Sequence, residues 1–446
     1  MDSKKKKVLI LCNDFPPINS IGADRPYSWY KYFQEFNLYP IVITKNWQSN
    51  GNTRYNIISK ERKIEYTDFG CIIRTSKVRT PSLWFQEKFK TKISFVRRGL
   101  SFIEKLLSFY FLRFDQHKGI YKEAYGYLNK NNDVHAIITT GEPFVLFKHG
   151  YRIKKKFGVR WIADYRDPWS QDIPLQKKYL LKKWSNYQEK KLLKSVSSVI
   201  TVSQFVADKI ALNYSNKEIN IIPNGFDPEI INNISKITQN AKRLTISYAG
   251  TIYNWHPIEI FFKSLNEFLR LHSEVELKLN FYGINNQNDI HDKLIKFPYA
   301  KKCIEFHPRI PNEQLLKTLA ESNVLLLFNY YSFMGTKIYD YLGLKRKILF
   351  CFTADENALI LKDKYYKIDE SLNANTELQS HLIKNSKSGV IVSNADKLKE
   401  VLMQLFLEFK ETKNIKCESQ NVEQFSREFR VKELADLIEK NISSHL

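Results

Sequence analysis

NGFDPEIINNISKITQNAKR, residues 224–243, opens with Asn, Gly and Pro and then shows no strong periodicity. It interrupts a regular alternation of short apolar runs and helical patterns that resumes on its far side. A break of this kind in a chain of 446 residues predicts a domain boundary, because one hydrophobic core seldom organises more than about 250–300 residues.

Before the break, residues 8–12, 40–44, 136–140, 159–163, 198–202 and 220–222 read as strands, each bounded by turn or charged residues. Residues 25–36, 144–156, 176–194 and 203–214 read as helices, with Ser203 a natural N-cap. After the break, strands are expected at 244–249, 277–282, 303–306, 324–328 and 348–352. Between them a helix opens at Pro257 with Ile258, Phe261, Phe262, Leu265 and Leu269 on one face, another is capped by Asn312, and a third starts near Thr336. Strands alternating with helices imply parallel, doubly wound sheets. The expected fold class is α/β, two tandem Rossmann-like domains over 1–225 and 226–425. A last helix over 426–446 is expected to pack back on the first domain. Ligands are expected in a cleft at the carboxyl ends of the sheets.

Lys and Arg outnumber Asp and Glu by 70 to 47, a net charge of +23. Two readings stay open: an anionic partner, or a composition biased toward lysine. The basic residues are spread along the chain and form no nucleic-acid motif, so no nucleic-acid partner is expected. Five scattered cysteines without CxxC spacing suit a reducing compartment. The apolar run at 8–12 is too short for a signal peptide's core, and no run approaches the roughly 18 residues needed to span a bilayer. A cytoplasmic protein is expected. Residues 78–130 are rich in aromatic and basic residues at helical spacing; they read either as a surface lying on anionic lipid or as helices packing on the sheet.

Three segments carry candidate chemistry. In NDFPPINSIGADRPYSW, residues 13–29, Gly22 allows unusual backbone angles, Asp24 suits a helix cap, and Pro26 suits the first turn. Free N–H groups there would suit a diphosphate, although an ordinary strand-to-helix loop looks similar. In FNYYSFMGTKIYDYLGLKRKILF, residues 328–350, Gly335 and Thr336 form a turn, Lys337 brings positive charge to a helix start, and Asp340 falls one turn on. That combination suits phosphate oxygens and ribose hydroxyls, or simply a capping turn. In WIADYRDPWSQD, residues 161–172, an apolar run ends in Asp164, Arg166, Asp167 and Asp172.

Taken together, NDFPP…IGADR, WIADYRDPW, ITVSQF, NIIPNGFDPE, SYAGTIY, RIPNEQLLKTLAESNVLLL and GTKIYDYLGLKRKIL resemble, in order and over nearly the whole chain, the retaining nucleotide-sugar glycosyltransferases of family 4. The resemblance implies the two-domain GT-B fold, with the first domain binding acceptor and the second binding donor. It implies that Gly22 and Arg25 approach the donor diphosphate, that Gly335, Thr336 and Lys337 meet its phosphates, and that Asp340 holds the ribose. Arg309 belongs to the loop bracketing the nucleobase, and Asp164, Arg166 and Asp167 border the acceptor and reacting sugar. An internal ion pair between Asp164 and Arg166 is the alternative role for those two. Three positions depart from the pattern. Ser332 stands where the family has a first glutamate, and Asn254, Trp255 and His256 stand where it has a basic pair. Phe147 occupies the usual histidine position, leaving His149, two residues on, as a secondary catalytic candidate.

The implied activity is sugar transfer from a nucleotide-sugar to a hydroxyl of a glycan or lipid-linked acceptor, in cell-surface polysaccharide synthesis. The nucleotide-sugar is a co-substrate and no cofactor is expected. No metal is expected either, since the chain lacks the DxD pair that would hold a divalent ion. The charge surplus and residues 78–113 suggest peripheral attachment to the anionic inner face of the cell membrane. The rival readings are a non-catalytic scaffold of the same fold and a basic nucleic-acid-binding protein.

Overall fold

The computed structural model describes residues 5–18, 20–48, 57–89, 94–171, 179–214, 218–366 and 375–443. Asp172 and the expected helix start at Gln176 lie outside them. The chain divides into two units, Met1–Pro223 with Arg430–Leu446, and Asn224–Phe429.

Unit 1 contains β1 (Lys6–Leu11), β2 (Leu38–Lys45), β3 (Trp47–Gln48), β4 (Ile57–Ile58), β5 (Lys63–Thr67), β6 (Gly70–Thr75), β7 (Val134–Thr140), β8 (Arg160–Tyr165), β9 (Ser198–Thr201) and β10 (Ile219–Ile221). Its sheet runs in the order β10-β9-β8-β7-β1-β2-β6-β5, and β3 pairs only with β4. All pairs of the large sheet are parallel except the hairpin β5–β6. Helices cover both faces of a parallel sheet, so its strands are continuous apolar runs: Val8, Leu9, Ile10 and Leu11 of β1 are all fully buried. The β5–β6 hairpin keeps this signature only in β6, through Cys71, Ile72 and Ile73. Its outer strand is solvent-facing, with Tyr66 77% exposed, so its apolar pattern is diluted by charge.

Local structure departs from expectation at the first helix, which spans Ile21–Tyr32 and continues as a 3₁₀ turn over Phe33–Phe36. Asp24 therefore lies in the first turn, and Pro26 sits inside the helix, where it removes one backbone bond. Ser203 caps the helix Gln204–Ala211 as expected, its side chain accepting from Val206 N–H at 3.3 Å. In the final helix, Arg427–Ser443, the residues Val431, Leu434, Ala435 and Ile438 are buried in the unit 1 core with Trp29 and Phe33.

Unit 2 contains β11 (Leu244–Ala249), β12 (Leu277–Tyr282), β13 (Ile304–His307), β14 (Val324–Phe328), β15 (Lys347–Cys351) and β16 (Gly389–Val392), in the order β13-β12-β11-β14-β15-β16 and parallel throughout. The helix Ile258–Leu271 buries Ile258, Phe261, Phe262, Leu265 and Phe268 against this sheet, each contributing on the order of 1.5–3 kcal/mol. The interrupting stretch holds a short helix, Pro228–Ile234, capped by Asp227. Pro311, rather than Asn312, is the N-cap of Asn312–Ala320. Among the described residues, no helix is long and apolar enough to cross a membrane.

Candidate active site

In each unit the strand order reverses beside its first strand, at β1/β7 in unit 1 and at β11/β14 in unit 2. Loops leaving the carboxyl ends of those strands form the place where open α/β sheets take ligands. In unit 1 the candidate residues lie at or after the ends of β1, β7 and β8, and in unit 2 they follow β13 and β14.

In unit 1, Asp164 is fully buried near the end of β8, and its Oδ1 accepts from Arg25 Nε at 2.9 Å. The alternative role, an ion pair with Arg166, is thus taken by Arg25, and Arg166 acts on Asp164 only through its charge. The Arg25 guanidinium also donates to the Ile222 carbonyl at 2.7 Å and is itself 6% exposed. Arg25 thus ties the first helix to β8 and to the segment after β10. Burial raises the Asp164 pKa against the pull of Arg25, so the carboxylate depends on that guanidinium to stay ionised in a dry place.

Arg166 instead turns back over the β7 loop, donating from Nε to the Gly141 carbonyl at 2.7 Å and from Nη2 to the Glu142 carbonyl at 3.0 Å. Its Nη1 lies 1.9 Å from where a Cβ on residue 22 would stand, with Asp14 Oδ2 at 2.6 Å. Glycine at position 22 thus leaves the space that the ends of the Arg166 and Asp14 side chains occupy, and a larger residue would have to displace them. Asp167 is half-buried, and burial raises its pKa although Arg166 opposes the shift.

His149 is fully buried, its Nε2 2.6 Å from Asp115 Oδ2. The same carboxylate accepts from His117 N–H at 2.7 Å, and His117 Nε2 meets Asn13 Oδ1 at 3.2 Å. Burial pushes the His117 imidazole down to about 4 against the pull of Asp115. Burial opposes ionisation at Asp115, yet the two imidazoles hold its carboxyl well below the usual range. His149 is thus an anchored group within an Asp115–His117–His149 cluster. Sequence reading missed Asp115 and His117, although the D-x-H spacing in RFDQHKG was available. Phe147, at the position the resemblance reserves for histidine, packs on Tyr165 at 4.7 Å and on Trp161 and Trp169.

In unit 2, Lys337 opens the helix Lys337–Leu344 beside the end of β11. Its Nζ donates to the Tyr248 hydroxyl at 2.8 Å and lies 4.2 Å from that ring's centroid and 5.7 Å from the centroid of Tyr330. Burial pushes the ammonium down to about 7. Gly250, at φ +91°, leaves the room that Lys337 needs, since a Cβ there would come within 2.8 Å of its Cε. Asp340 lies in the first turn of the same helix and is half-buried. Thr336 is the N-cap without a side-chain bond, and Gly335 has open space, the Tyr330 ring standing 3.7 Å from where a Cβ would lie. Arg309 is exposed in the loop after β13, against Gly283, whose φ of +60° lets the loop close.

Ser332 is fully buried, its hydroxyl 3.0 Å from that of Tyr366. Where the family resemblance has a basic pair, Tyr253 and Trp255 stack at 4.4 Å and His256 is buried. Burial and then the Lys337 charge keep the His256 pKa far below its ordinary value. Its Nδ1 accepts from Tyr253 N–H at 3.3 Å, which places the ring proton on Nε2. Among the described residues, no group of three or more His, Cys, Asp or Glu side chains is arranged to hold a metal ion.

Comparison with known proteins adds to this geometry. Residues 117–230 match the model of the family described as Glycosyltransferase Family 4. No curated protein matches the chain by sequence. Among solved structures, the chain is similar to the sucrose-phosphate synthase of Thermosynechococcus elongatus, at 12% identity and a TM-score of 0.59 over 99% of this chain and 100% of that one. It is similar to the catalytic domain of starch synthase IV from Arabidopsis thaliana bound to ADP and acarbose, at 12% identity and 0.55 over 98% and 100%. It is also similar to the Anabaena protein HepE in complex with UDP, at 11% identity and 0.54 over 97% and 100%. The two parallel Rossmann-like sheets are those of these relatives. The chain has the two-domain GT-B fold of these structures, and its residues 117–230 match the Glycosyltransferase Family 4 model.

Proposed function

We propose that the protein transfers a sugar, with retention and without metal, from a nucleotide-sugar to a hydroxyl of a glycan or lipid-linked acceptor in cell-surface polysaccharide synthesis. One observation carries the reading: Lys337 stands at a helix start beside the carboxyl end of β11, with Asp340 one turn on. Lys337 and the N–H groups of that helix neutralise the charge growing on the leaving diphosphate, which is where stabilisation counts most. Asp340 accepts the ribose hydroxyls. In unit 1, Asp167 and Arg166 border the acceptor, while Asp164 and Arg25 hold the loop that carries them. As the sugar–phosphate bond breaks, the leaving phosphate oxygen takes the acceptor's proton and the acceptor oxygen bonds to the same sugar face. The UDP and ADP of two structural relatives suit such a donor.

The protein acts at the cytoplasmic face of an anionic membrane, attached through residues 78–113, where Trp84, Phe89, Phe102, Ile103 and Phe111 are 41–55% exposed. Calorimetry with UDP, GDP and ADP tests the donor assignment. One nucleotide should bind, and Asp340→Ala should weaken it at least about tenfold, the equivalent of 1.4 kcal/mol. Parent-like binding by the variant removes Asp340 from the ribose. Transfer should survive excess EDTA, and loss restored by Mg²⁺ or Mn²⁺ would refute metal independence.

A further inference from the structure

The helix Val145–Phe157 of unit 1 presents Lys148, Arg152 and Lys155 at helical spacing, and the helix Tyr179–Leu193 brings Lys191 close to them. Burial pushes the Lys148 ammonium down to about 8, and Arg152, Lys191 and Lys155 each push it in the same direction with no carboxylate opposing them. The cations lie near rings instead: Lys148 is 5.1 Å from Tyr151, Arg152 6.0 Å from Tyr121, and Lys191 5.8 Å from Tyr187. Such crowding of like charge is costly unless an anion relieves it.

A pocket of about 420 Å³ opens beside this cluster, lined by Tyr110, Phe111, Leu112, Arg113, Tyr121 and Arg152. Its wall is fixed: the Tyr110 carbonyl accepts from Arg152 at 3.1 Å, and the Tyr110 hydroxyl accepts from Trp184 Nε1 at 3.0 Å and Gln188 Nε2 at 2.8 Å. Phe111 of its lining is 55% exposed, the helix Tyr179–Leu193 bonded to Tyr110 carries Tyr187 at 60% and Leu180 at 80%, and the helix Ser94–Ser108 just before the pocket segment carries Ile103 at 52%. A free phosphate ion needs no apolar rim, and an apolar protein partner needs no uncompensated cations. Anionic lipid satisfies both features, since its phosphates meet the cations while its acyl boundary receives the apolar groups.

We propose that this face of unit 1 is a binding site for anionic phospholipid, with headgroup phosphate seated between Arg113 and Arg152, further headgroups on Lys148, Lys155 and Lys191, and Phe111, Ile103 and Leu180 entering the acyl boundary. The inference rests on the membrane attachment proposed above and deepens it, adding the cations of two further helices to Arg113, Phe111 and Ile103 of residues 78–113.

The test is co-sedimentation with vesicles of equal parts phosphatidylglycerol and phosphatidylcholine. The variant Lys148→Gln/Arg152→Gln/Lys155→Gln/Lys191→Gln should lose at least tenfold in vesicle affinity, because each basic residue at an anionic surface contributes roughly fivefold. A control with the same charge change in unit 2, Lys263→Gln/Lys301→Gln/Lys302→Gln/Lys410→Gln, should bind vesicles like the parent. Both variants should keep the circular dichroism and nucleotide-induced thermal shift of the parent, and Arg152→Lys should keep vesicle binding. Equal losses in the two quadruple variants would show a net-charge effect and overturn the site. Retention by the first variant with loss on Phe102→Ser/Lys105→Gln would leave attachment through residues 78–113 standing and this proposal overturned. Failure of the parent to bind vesicles would overturn both, and full displacement by inorganic phosphate at constant ionic strength would assign the cluster to a free anion instead.

Discussion

Asp164 is the residue at which a catalytic role and a structural one make opposite forecasts. Its carboxylate is fully buried and its partner Arg25 is 6% exposed, so removing either side leaves the other charge uncompensated in a dry site. Breaking a buried pair in this way costs about 3–5 kcal/mol. Asp164→Leu and Arg25→Met should each lose that much stability, a large share of the roughly 5–15 kcal/mol that holds a folded protein together. The double variant removes both charges and leaves the Ile222 carbonyl without its Arg25 donor, a loss of about 1–3 kcal/mol. It should therefore be more stable than either single variant, with a coupling of at least about 2 kcal/mol. Urea unfolding followed by tryptophan fluorescence reads this directly, because six of the seven tryptophans belong to unit 1 and only Trp255 to unit 2. Losses in the double variant equal to the sum of the single losses would refute the reasoning. If the double variant is folded and binds nucleotide but has no transferase activity, Asp164 acts in the chemistry as well.

Gly22→Ala should displace the ends of the Arg166 and Asp14 side chains and cost no more than about 1 kcal/mol, while Gly335→Ala should leave the melting temperature nearly unchanged; calorimetric melting of the two variants checks it. Lys337 is a cation below about pH 7 and loses its charge above, so affinity for the bound nucleoside diphosphate should fall as pH rises through 7, and in Lys337→Met the affinity should be weak and flat across that range. Because its folded pKa is lowered from 10.5, the unfolded chain holds the extra proton between about 7 and 10.5, and the stability of the nucleotide-free protein should rise with pH over that window and not do so in Lys337→Met. Ser332→Ala should cost on the order of 1 kcal/mol through its bond to Tyr366 and change turnover only a few-fold; abolished turnover would give the hydroxyl a catalytic role.

Much of this protein is decided by its sequence. Fully buried parallel strands are continuous apolar runs, so β1, β2, β7, β8, β9 and five of the six strands of unit 2 were legible, as were the interruption near residue 224 and the apolar face of Ile258–Leu271. The positions of Lys337 and Asp340 on one helix were legible too, because a strand followed by a turn and a cation carries its own local geometry. β5, β6 and β16 were not: β5 is a solvent-facing edge strand, the apolar run of the buried β6 is only three residues long, and β16 is a half-buried run of four residues. What only tertiary structure decided is which charges meet. Asp164 lies 139 residues from Arg25 and two from Arg166, so sequence proximity offered only Arg166 as a partner. Asp115 and His149 are 34 apart, and the space beside Gly22 is filled by Arg166 from another strand end. Periodicity is a local property that the chain carries along its length, whereas the partner of a buried charge is set by desolvation in the assembled core, which exists only once distant segments have packed.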